Sequence, residues 1–228
     1  MTWLKADLHA HCGDDPNERI GYSAEMLIDA AAQLNVEVLA IAPHGARMDN
    51  ARLAVYAARR NVLLIPAAEL RLEGKHVLVL NPDEYQARVR TFAELRAAGR
   101  RGAAIIAPHP YYPGPVCLGR ALAENIDLFD AVEYCSLYFR GLDPNRKAVR
   151  MAQKHRLPLV GTSDAHTLPY SDSTFTWVQS EPRVEEVIAA IRAGRVRLTT
   201  SPRPMAQAAR MLYFSAWQAV RGVIHCSD

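Results

Sequence analysis

The stretch Lys5-Ala6-Asp7-Leu8-His9-Ala10-His11-Cys12-Gly13-Asp14-Asp15-Pro16 decides how the rest of the chain is interpreted. The apolar pair Trp3-Leu4 precedes it and is consistent with a strand. Residues two apart on a strand point the same way, so His9 and His11 present two imidazoles on one face. Imidazole and carboxylate ligands together suit Zn, Mn or Fe. The stretch therefore indicates a strand that ends at a metal site.

Size and composition indicate a single globular domain over residues 1–228. Half of the 228 residues are hydrophobic and 22% are charged, and α/β barrels often reach this length as one domain. The formal net charge is only +3, and the basic residues are spread along the chain without a block. We therefore expect no stable nucleic-acid partner.

The cysteines and the N-terminal sequence bear on the cellular compartment. The cysteines lie far apart, without a Cys-x-x-Cys pair, at Cys12, Cys117, Cys135 and Cys226. The N-terminus does not resemble a secretory signal, and no apolar run approaches the ~18 residues that span a bilayer. We expect a cytoplasmic protein with free thiols and no membrane association. A pairing of Cys117 with Cys135 and the oligomeric state stay open.

Short apolar runs alternate with amphipathic stretches along the remaining chain. This is the pattern of parallel strands joined by crossover helices. Helical spacing of apolar residues predicts, among others, helices over Ser23–Leu34 and Asp83–Ala98. It also predicts a last helix over about 203–221 that packs on the rest of the fold. The chain is thus expected to be an α/β protein built around a parallel sheet.

Histidines and carboxylates follow the strand-like runs at a common position, the end of each run. They are His9, His11, His44, Glu69, His109, Asp164 and His166. The carboxyl ends of the strands in a parallel α/β barrel share one rim, where active sites are built. We therefore expect these side chains to converge on one pocket. His76 precedes its strand, but a tight turn at 71–75 would return it to the same rim as Glu69.

With these motifs the chain resembles the PHP family, named for polymerases and histidinol phosphatases. The resemblance covers roughly positions 3–200 and rests on five motifs in order. They are Asp7-Leu8-His9-Ala10-His11, His44 after an apolar strand, Ile65-Pro66-Ala67-Ala68-Glu69 followed by His76, Pro108-His109-Pro110, and Gly161-Thr162-Ser163-Asp164-Ala165-His166. The resemblance implies a distorted seven-stranded β/α barrel with two or three divalent metal ions (Zn, Mn or Fe) at its C-terminal rim.

The resemblance also implies which side chains hold each metal. The ligands of the first metal would be His9, His11, Glu69 and Asp164. The ligands of the second, which Glu69 bridges to the first, would be Glu69, His76 and His109. The ligands of the third would be His44, His166 and Asp15, with Asp14 as the alternative to Asp15. The catalytic side chains would be Glu69, Asp164 and His166.

One position departs from the family pattern. The family usually has an aspartate directly before the second-motif histidine, and this chain has Pro43 before His44. Such an aspartate more often orients a ligand than binds the metal itself, and its loss changes affinity and ring orientation. The departure therefore bears on the third metal.

The function implied by the resemblance is that of a metal-dependent phosphoesterase. It would hydrolyse a phosphomonoester, a small phosphodiester or a short oligonucleotide through a metal-activated hydroxide. Arg47 and Arg71 stand near His44 and Glu69 and are the candidate phosphate-binding residues, since guanidinium binds phosphate in a bidentate manner. The alternatives are a metal-binding module with little or no catalysis, and a non-phosphate hydrolase on the same centre.

Overall fold

A single sheet of nine strands curls into a barrel within residues 2–203, which are the residues that the computed structural model describes. The strands are β1 (Thr2–Ala10), β2 (Val38–Ile41), β3 (Leu63–Leu72), β4 (Lys75–Leu80), β5 (Ala104–Ala107), β6 (Ala131–Cys135), β7 (Leu159–Thr162), β8 (Thr174–Ser180) and β9 (Val196–Thr200). The helices are α1 (Ala24–Gln33), α2 (Ala51–Ala58), α3 (Phe92–Ala98), α4 (Arg120–Glu124), α5 (Asn145–His155) and α6 (Val184–Arg192).

The strands follow the order β7-β6-β5-β4-β3-β2-β1-β8-β9. Strands β1, β2 and β3 are parallel, and so are β5, β6 and β7. Strand β4 runs antiparallel between β3 and β5, and β8 runs antiparallel between β1 and β9. The predicted α/β barrel is confirmed. It has nine strands rather than seven in the described part of the chain, and both β4 and β8 reverse direction.

Strand β7 closes the barrel against the other end of the sheet. The Thr176 hydroxyl on β8 bonds both the backbone N and O of Gly161 on β7, at 2.8 and 2.9 Å. The backbone N of Asp164 donates to the carbonyl of His9 at 2.9 Å, and that of His11 donates to the carbonyl of Ala165 at 3.0 Å. These bonds join the end of β1 to the segment after β7, so the residues that follow both strands meet.

Alternating residues along a strand pack into two different apolar cores. On β2, Val38 and Ala40 pack with the apolar side of α6, whereas Leu39 and Ile41 pack in the cluster of α1 and α2. The helices α3 and α5 cover the opposite wall, packing on β4, β5 and β6. Strands buried on both faces read as continuous apolar runs, which explains the run at Val38–Ala42. The barrel is therefore fixed on all sides except the rim where β1, β3 and β7 end.

Local signals decide the helix boundaries. Ser23 caps α1 through its side chain, which accepts from the Met26 backbone N, and confirms the predicted helix there. The single helix predicted over Asp83–Ala98 is wrong. A short 3₁₀ turn at Gln86–Arg88 and the helix α3 are separated by extended backbone, because Thr91 starts α3 with a capping box to Glu94.

Two further predictions from the sequence concern a C-terminal helix and membrane-spanning segments. The last helix, predicted over about 203–221, lies outside the described residues except for Arg203, which pairs with Phe139 in an isolated bridge. Among the helices of residues 2–203, none combines the length and the apolarity that a bilayer crossing requires.

Candidate metal centre

The sequence-predicted histidines and carboxylates converge at one end of the barrel. Those that form one contiguous cluster are His9, His11, His44, Glu69, His76, His109, Asp164 and His166. Strand β1 supplies His9, the residue directly after β1 is His11, and β3 supplies the central glutamate. The tight turn after β3 contains Glu73 and Gly74, both with positive φ, and returns the chain so that His76 pairs opposite Arg71. The predicted return of His76 to this rim is therefore confirmed.

Glu69 lies at the middle of the cluster, and its two carboxylate oxygens face different histidines. Oε1 lies 2.8 Å from His76 Nδ1 and 3.0 Å from His109 Nε2. Oε2 lies 3.1 Å from His44 Nε2 and within 3.5 Å of the Nε2 atoms of His9 and His11. The carboxylate is almost completely buried, at 1% exposure. A carboxylate placed in this way can bridge two cations.

Asp164 closes the group formed by the two histidines of β1. Its Oδ1 lies 3.4 Å from His11 Nε2 and 3.8 Å from His9 Nε2. His9, His11 and Asp164 form a set whose possible ligand atoms lie within 4.8 Å of one another. A second such set is His44, Glu69 and His76. Both match groups of side chains that a divalent ion can bind.

A third set contains a residue that the sequence analysis did not select. It consists of His11, Glu18, His44 and His166. The Glu18 carboxylate lies 3.2 Å from His166 Nε2 and 3.6 Å from His44 Nδ1. Its loop has no strand or helix periodicity, so no sequence pattern could have placed it at the rim. The acidic member of this set in the structure is Glu18, where the sequence analysis expected Asp15 or Asp14.

Asp15 and Asp14 have other hydrogen-bond partners. Asp15 Oδ2 accepts from both the backbone N and the Nδ1 of His44, each at 2.8 Å, and its Oδ1 accepts from the Asn17 backbone N. Asp14 Oδ2 accepts from the backbone N of Ala24 at the start of α1. Asp15 therefore orients the His44 ring from behind, and Asp14 points away from the cluster.

The dense charge of the cluster shifts the pKa of its members in opposite directions. Burial alone would lower the pKa of His9, but the charges of Glu69, Glu133 and Asp164 raise it well above its usual range. Burial would likewise raise the pKa of Glu69, but the charge of His9 and the hydrogen bonds of neighbouring histidines hold it well below its usual range. Without a metal ion, protons on the imidazoles therefore compensate the carboxylates.

Two cluster residues adopt strained backbone conformations. His109 has φ of +29° and Asp164 has φ of +48°. A left-handed conformation costs a residue with a side chain roughly 1–3 kcal/mol, and such residues concentrate at functional sites. The His109 ring is also held from behind by the thiol of Cys117, whose Sγ lies 3.5 Å from His109 Nδ1.

The hydrogen-bonding state of the cluster fits metal binding. Within residues 2–203, the buried His11 Nδ1 forms no hydrogen bond and lies 3.9 Å from Asp15 Oδ2. His76 Nδ1 and Glu18 Oε2 are also buried, and their contacts with Glu69 Oε1 at 2.8 Å and with His166 Nε2 at 3.2 Å lack hydrogen-bond geometry. Buried polar groups without a partner are rare in folded proteins and require an explanation. Imidazole nitrogens and carboxylate oxygens are the usual ligands of zinc and related ions. The chemistry of these residues therefore fits divalent metal ions.

The two arginines predicted to bind phosphate lie differently. Arg47 is half-buried and pairs with Asp49, with 2.5 Å between Nη2 and Oδ2, while its Nε is buried without an acceptor in the described residues. Arg71 is exposed, on the strand segment that pairs with His76. The structure thus places neither guanidinium in the histidine cluster.

Comparisons with known proteins support the fold and the family. The PHP-associated family model (PHP_C) matches residues 143–196. No curated protein sequence matches the chain. Among solved structures, PsfC from Pseudomonas syringae PB-5123 is 19% identical with a TM-score of 0.65, and the alignment covers 96% of this chain and 98% of that one.

Two further solved structures share the barrel. A protein named as a candidate metal-dependent phosphoesterase, from Bifidobacterium adolescentis, is 14% identical with a TM-score of 0.55 over 73% of this chain and 90% of that one. The lesion-specific endonuclease PfuEndoQ from Pyrococcus furiosus is 14% identical with a TM-score of 0.63. That alignment covers 89% of this chain and 60% of the endonuclease. The match over residues 143–196 and the shared barrel fold together confirm the predicted resemblance to the PHP family.

Proposed function

We propose that this chain is a metal-dependent phosphoesterase that hydrolyses a phosphomonoester, a small phosphodiester or a short oligonucleotide. The observation that carries the proposal is the position of Glu69, whose two oxygens face separate groups of histidines. A bridging carboxylate is what a cluster of divalent ions needs to hold two cations close together. The names of the phosphoesterase and the endonuclease that share this fold agree with the proposal.

The proposed ligand groups are those that the resemblance implies, with one change of residue in the third. The first metal would be held by His9, His11, Glu69 and Asp164. The second would be held by Glu69, His76 and His109. The third would be held by His44, His166 and Glu18, in place of the expected Asp15. When bound, divalent ions of this kind lower the pKa of water and neutralise charge on a phosphoryl group.

The protein's own residues prepare the site for this reaction. His166 lies at the more open side of the cluster, where its side chain is 35% exposed, and the buried Asp164 lies beside it, with Oδ1 3.6 Å from His166 Nδ1. In the proposed reaction Asp164 would accept a proton from the attacking water, and His166 would hydrogen-bond the leaving oxygen. Glu69 is almost completely buried, and the charge interactions of a buried carboxylate are stronger than those of an exposed one.

Arg47 is the proposed phosphate-binding residue on this chain, with Arg71 as the second candidate. Arg47 is the second residue after Gly45. The backbone N of Gly45 donates to the carbonyl of Glu69 at 2.8 Å, which ties this segment to the metal centre. Its unpartnered Nε supports a role in which the guanidinium turns from Asp49 to a phosphate oxygen. Arg47→Ala should then raise KM more than it lowers kcat, and Arg71→Ala tests the second candidate in the same assay.

Metal analysis combined with a substrate panel tests the proposed function. The purified chain should contain two or three equivalents of Zn, Mn or Fe. It should hydrolyse p-nitrophenyl phosphate, bis-p-nitrophenyl phosphate or a short oligonucleotide, and it should lose this activity with a chelator and regain it with Mn²⁺. Activity confined to carboxylic esters or amides would indicate a non-phosphate hydrolase. Less than one metal per chain and no activation by any divalent ion would contradict the proposal.

A further inference from the structure

Glu133 is a buried carboxylate that borders the cluster without belonging to any of its ligand sets. It lies in the middle of β6, and its exposed fraction is 0%. Oε1 accepts from His9 Nδ1 at 2.8 Å and from the Thr162 hydroxyl at 2.5 Å. Oε2 accepts from the backbone N of His109. The carboxylate therefore connects three different parts of the rim.

A fully buried carboxylate is costly to keep in a strand of apolar residues. Removing an unpaired carboxylate from water is so unfavourable that buried ones are normally hydrogen-bonded or paired. Glu133 has hydrogen-bond donors for both oxygens, and two of its three partners are His9 and His109. These two residues belong to two neighbouring ligand groups.

The hydrogen bond to His9 determines which ring nitrogen is available to the cluster. When Nδ1 carries the proton that it donates to Glu133, Nε2 has a free lone pair. Nε2 is the atom that faces Glu69, His11 and Asp164. Histidines that bind metals commonly donate their other N–H to a carboxylate, which fixes tautomer and ring orientation.

The bond to His109 acts on the backbone instead of the ring. His109 has φ of +29°, a conformation that a side-chain-bearing residue adopts only when its surroundings impose it. The carboxylate of Glu133 accepts from the backbone N of this residue, while Cys117 contacts the ring. Both contacts direct His109 Nε2 toward Glu69, 3.0 Å away.

We propose that Glu133 is a positioning residue that sets the metal affinity of two adjoining sites by fixing the tautomer of His9 and the backbone of His109. The inference rests on the proposed metal centre. It assigns a role to a residue that touches neither metal nor substrate. An amide at this position cannot satisfy all three donors, because one of its two atoms is itself a donor.

Metal titration of Glu133→Gln tests the inference independently of activity. Metal-free protein is titrated with Zn²⁺ and with Co²⁺, whose absorption spectrum reports ligand geometry. The dissociation constant of Glu133→Gln should rise roughly 10–100-fold, and its Co²⁺ spectrum should change. Thr162→Val is the matched control, since it removes one donor to Glu133 but leaves the carboxylate and His9; its affinity should stay near that of the wild type.

The outcomes separate this inference from the proposed function. A wild-type chain that binds no divalent ion contradicts the proposed function itself. A wild type that binds metal while a folded Glu133→Gln binds it equally well contradicts only the role of Glu133.

A measurement on the wild type covers the case in which Glu133→Gln does not fold. In the zinc-loaded protein, ¹⁵N NMR of the histidine side chains should show His9 protonated at Nδ1 and ligated through Nε2. Ligation of His9 through Nδ1, or the absence of a proton there, would overturn the inference.

Discussion

The Nε2 atoms of His9 and His11 lie 3.0 Å apart at the end of β1. Two imidazole nitrogens at this distance either share one proton in an N–H···N hydrogen bond or bind a common cation with their lone pairs. With metal–nitrogen bonds of 2.0–2.1 Å, two ligands of a tetrahedral ion are separated by about 3.3 Å. The separation in the structure is therefore close to that of two nitrogens sharing one ion, and the two rings cannot both keep a proton on Nε2.

Replacing Glu69 by glutamine should disrupt two metal positions at once. The two carboxylate oxygens face different histidines, and an amide offers only one acceptor oxygen. We expect Glu69→Gln to lose at least one equivalent of metal and about 100-fold or more of its turnover. Elemental analysis and kcat on an aryl phosphate measure both effects. Glu84→Gln, at an exposed site, is the control, and equal metal content in the two variants would contradict the bridging role.

Glu18 and Asp15 can be separated by a pair of isosteric variants. Glu18→Gln should lower the affinity for the last metal equivalent, because the Glu18 carboxylate lies in the third ligand set, with Oε2 3.2 Å from His166 Nε2. Asp15→Asn should have a smaller effect on metal content and should mainly lower thermal stability, since its oxygens hold the backbone of His44 and Asn17. Metal titrations and melting curves compare the two. The reverse ranking would restore Asp15 as the ligand.

The metal-free protein should lose stability as the pH rises through the slightly alkaline range. Burial would lower the pKa of His166, but the close contact with the Glu18 carboxylate and the charge of Asp164 raise it to about 9. The folded chain thus binds this proton more tightly than the unfolded chain, whose histidine keeps its ordinary pKa near 6.5. The stabilisation is complete below pH 6.5 and is lost as the pH approaches 9.

Melting curves between pH 6 and 9 test this expectation. With a chelator present the melting temperature should fall with pH, and His166→Gln should reduce the slope. With saturating Zn²⁺ the fall should disappear, because metal ions displace these protons and bind more tightly as pH rises. A melting temperature of the metal-free protein that rises over this range would contradict the assignment.

The parts of the site that follow strands were predictable, and those in irregular loops were not. His9, Glu69 and Asp164 each end an apolar run, so the shared rim of a barrel places them together. His76 was predictable because two short strands separated by a turn must return to the same edge. Glu18 could not be found, since the segment between β1 and α1 carries no periodicity. The sequence predicts Asp15, next to Pro16, as the acidic ligand, whereas the set of side chains with His44 and His166 contains Glu18.

The position of Glu133 in the site could have been predicted from the sequence. Glu133 is the only charged residue in the apolar strand Ala131–Cys135, and a carboxylate inside a buried strand is rarely without a partner. The helix expected over Asp83–Ala98 failed for the opposite reason, because apolar spacing continued through a segment that Thr91 and Glu94 break with a capping box. Local hydrogen bonds determine both the environment of Glu133 and the start of α3, and the spacing of apolar residues does not reveal such bonds.

Barrel closure should depend on the absence of a side chain at Gly161. A Cβ on this residue would lie 2.5 Å from Leu198 Cδ1 and 2.7 Å from the carbonyl oxygen of Phe175. The leucine can rotate, but the carbonyl belongs to β8 and cannot move without separating the strands that close the barrel. We expect Gly161→Ala to lower the free energy of unfolding by about 1–3 kcal/mol, as overpacking does in other cores. Urea denaturation of the metal-free protein measures it. Gly21→Ala is the control, since a Cβ there meets no atom within 4 Å, and equal stability of the two variants would show that β7 does not close tightly on β8.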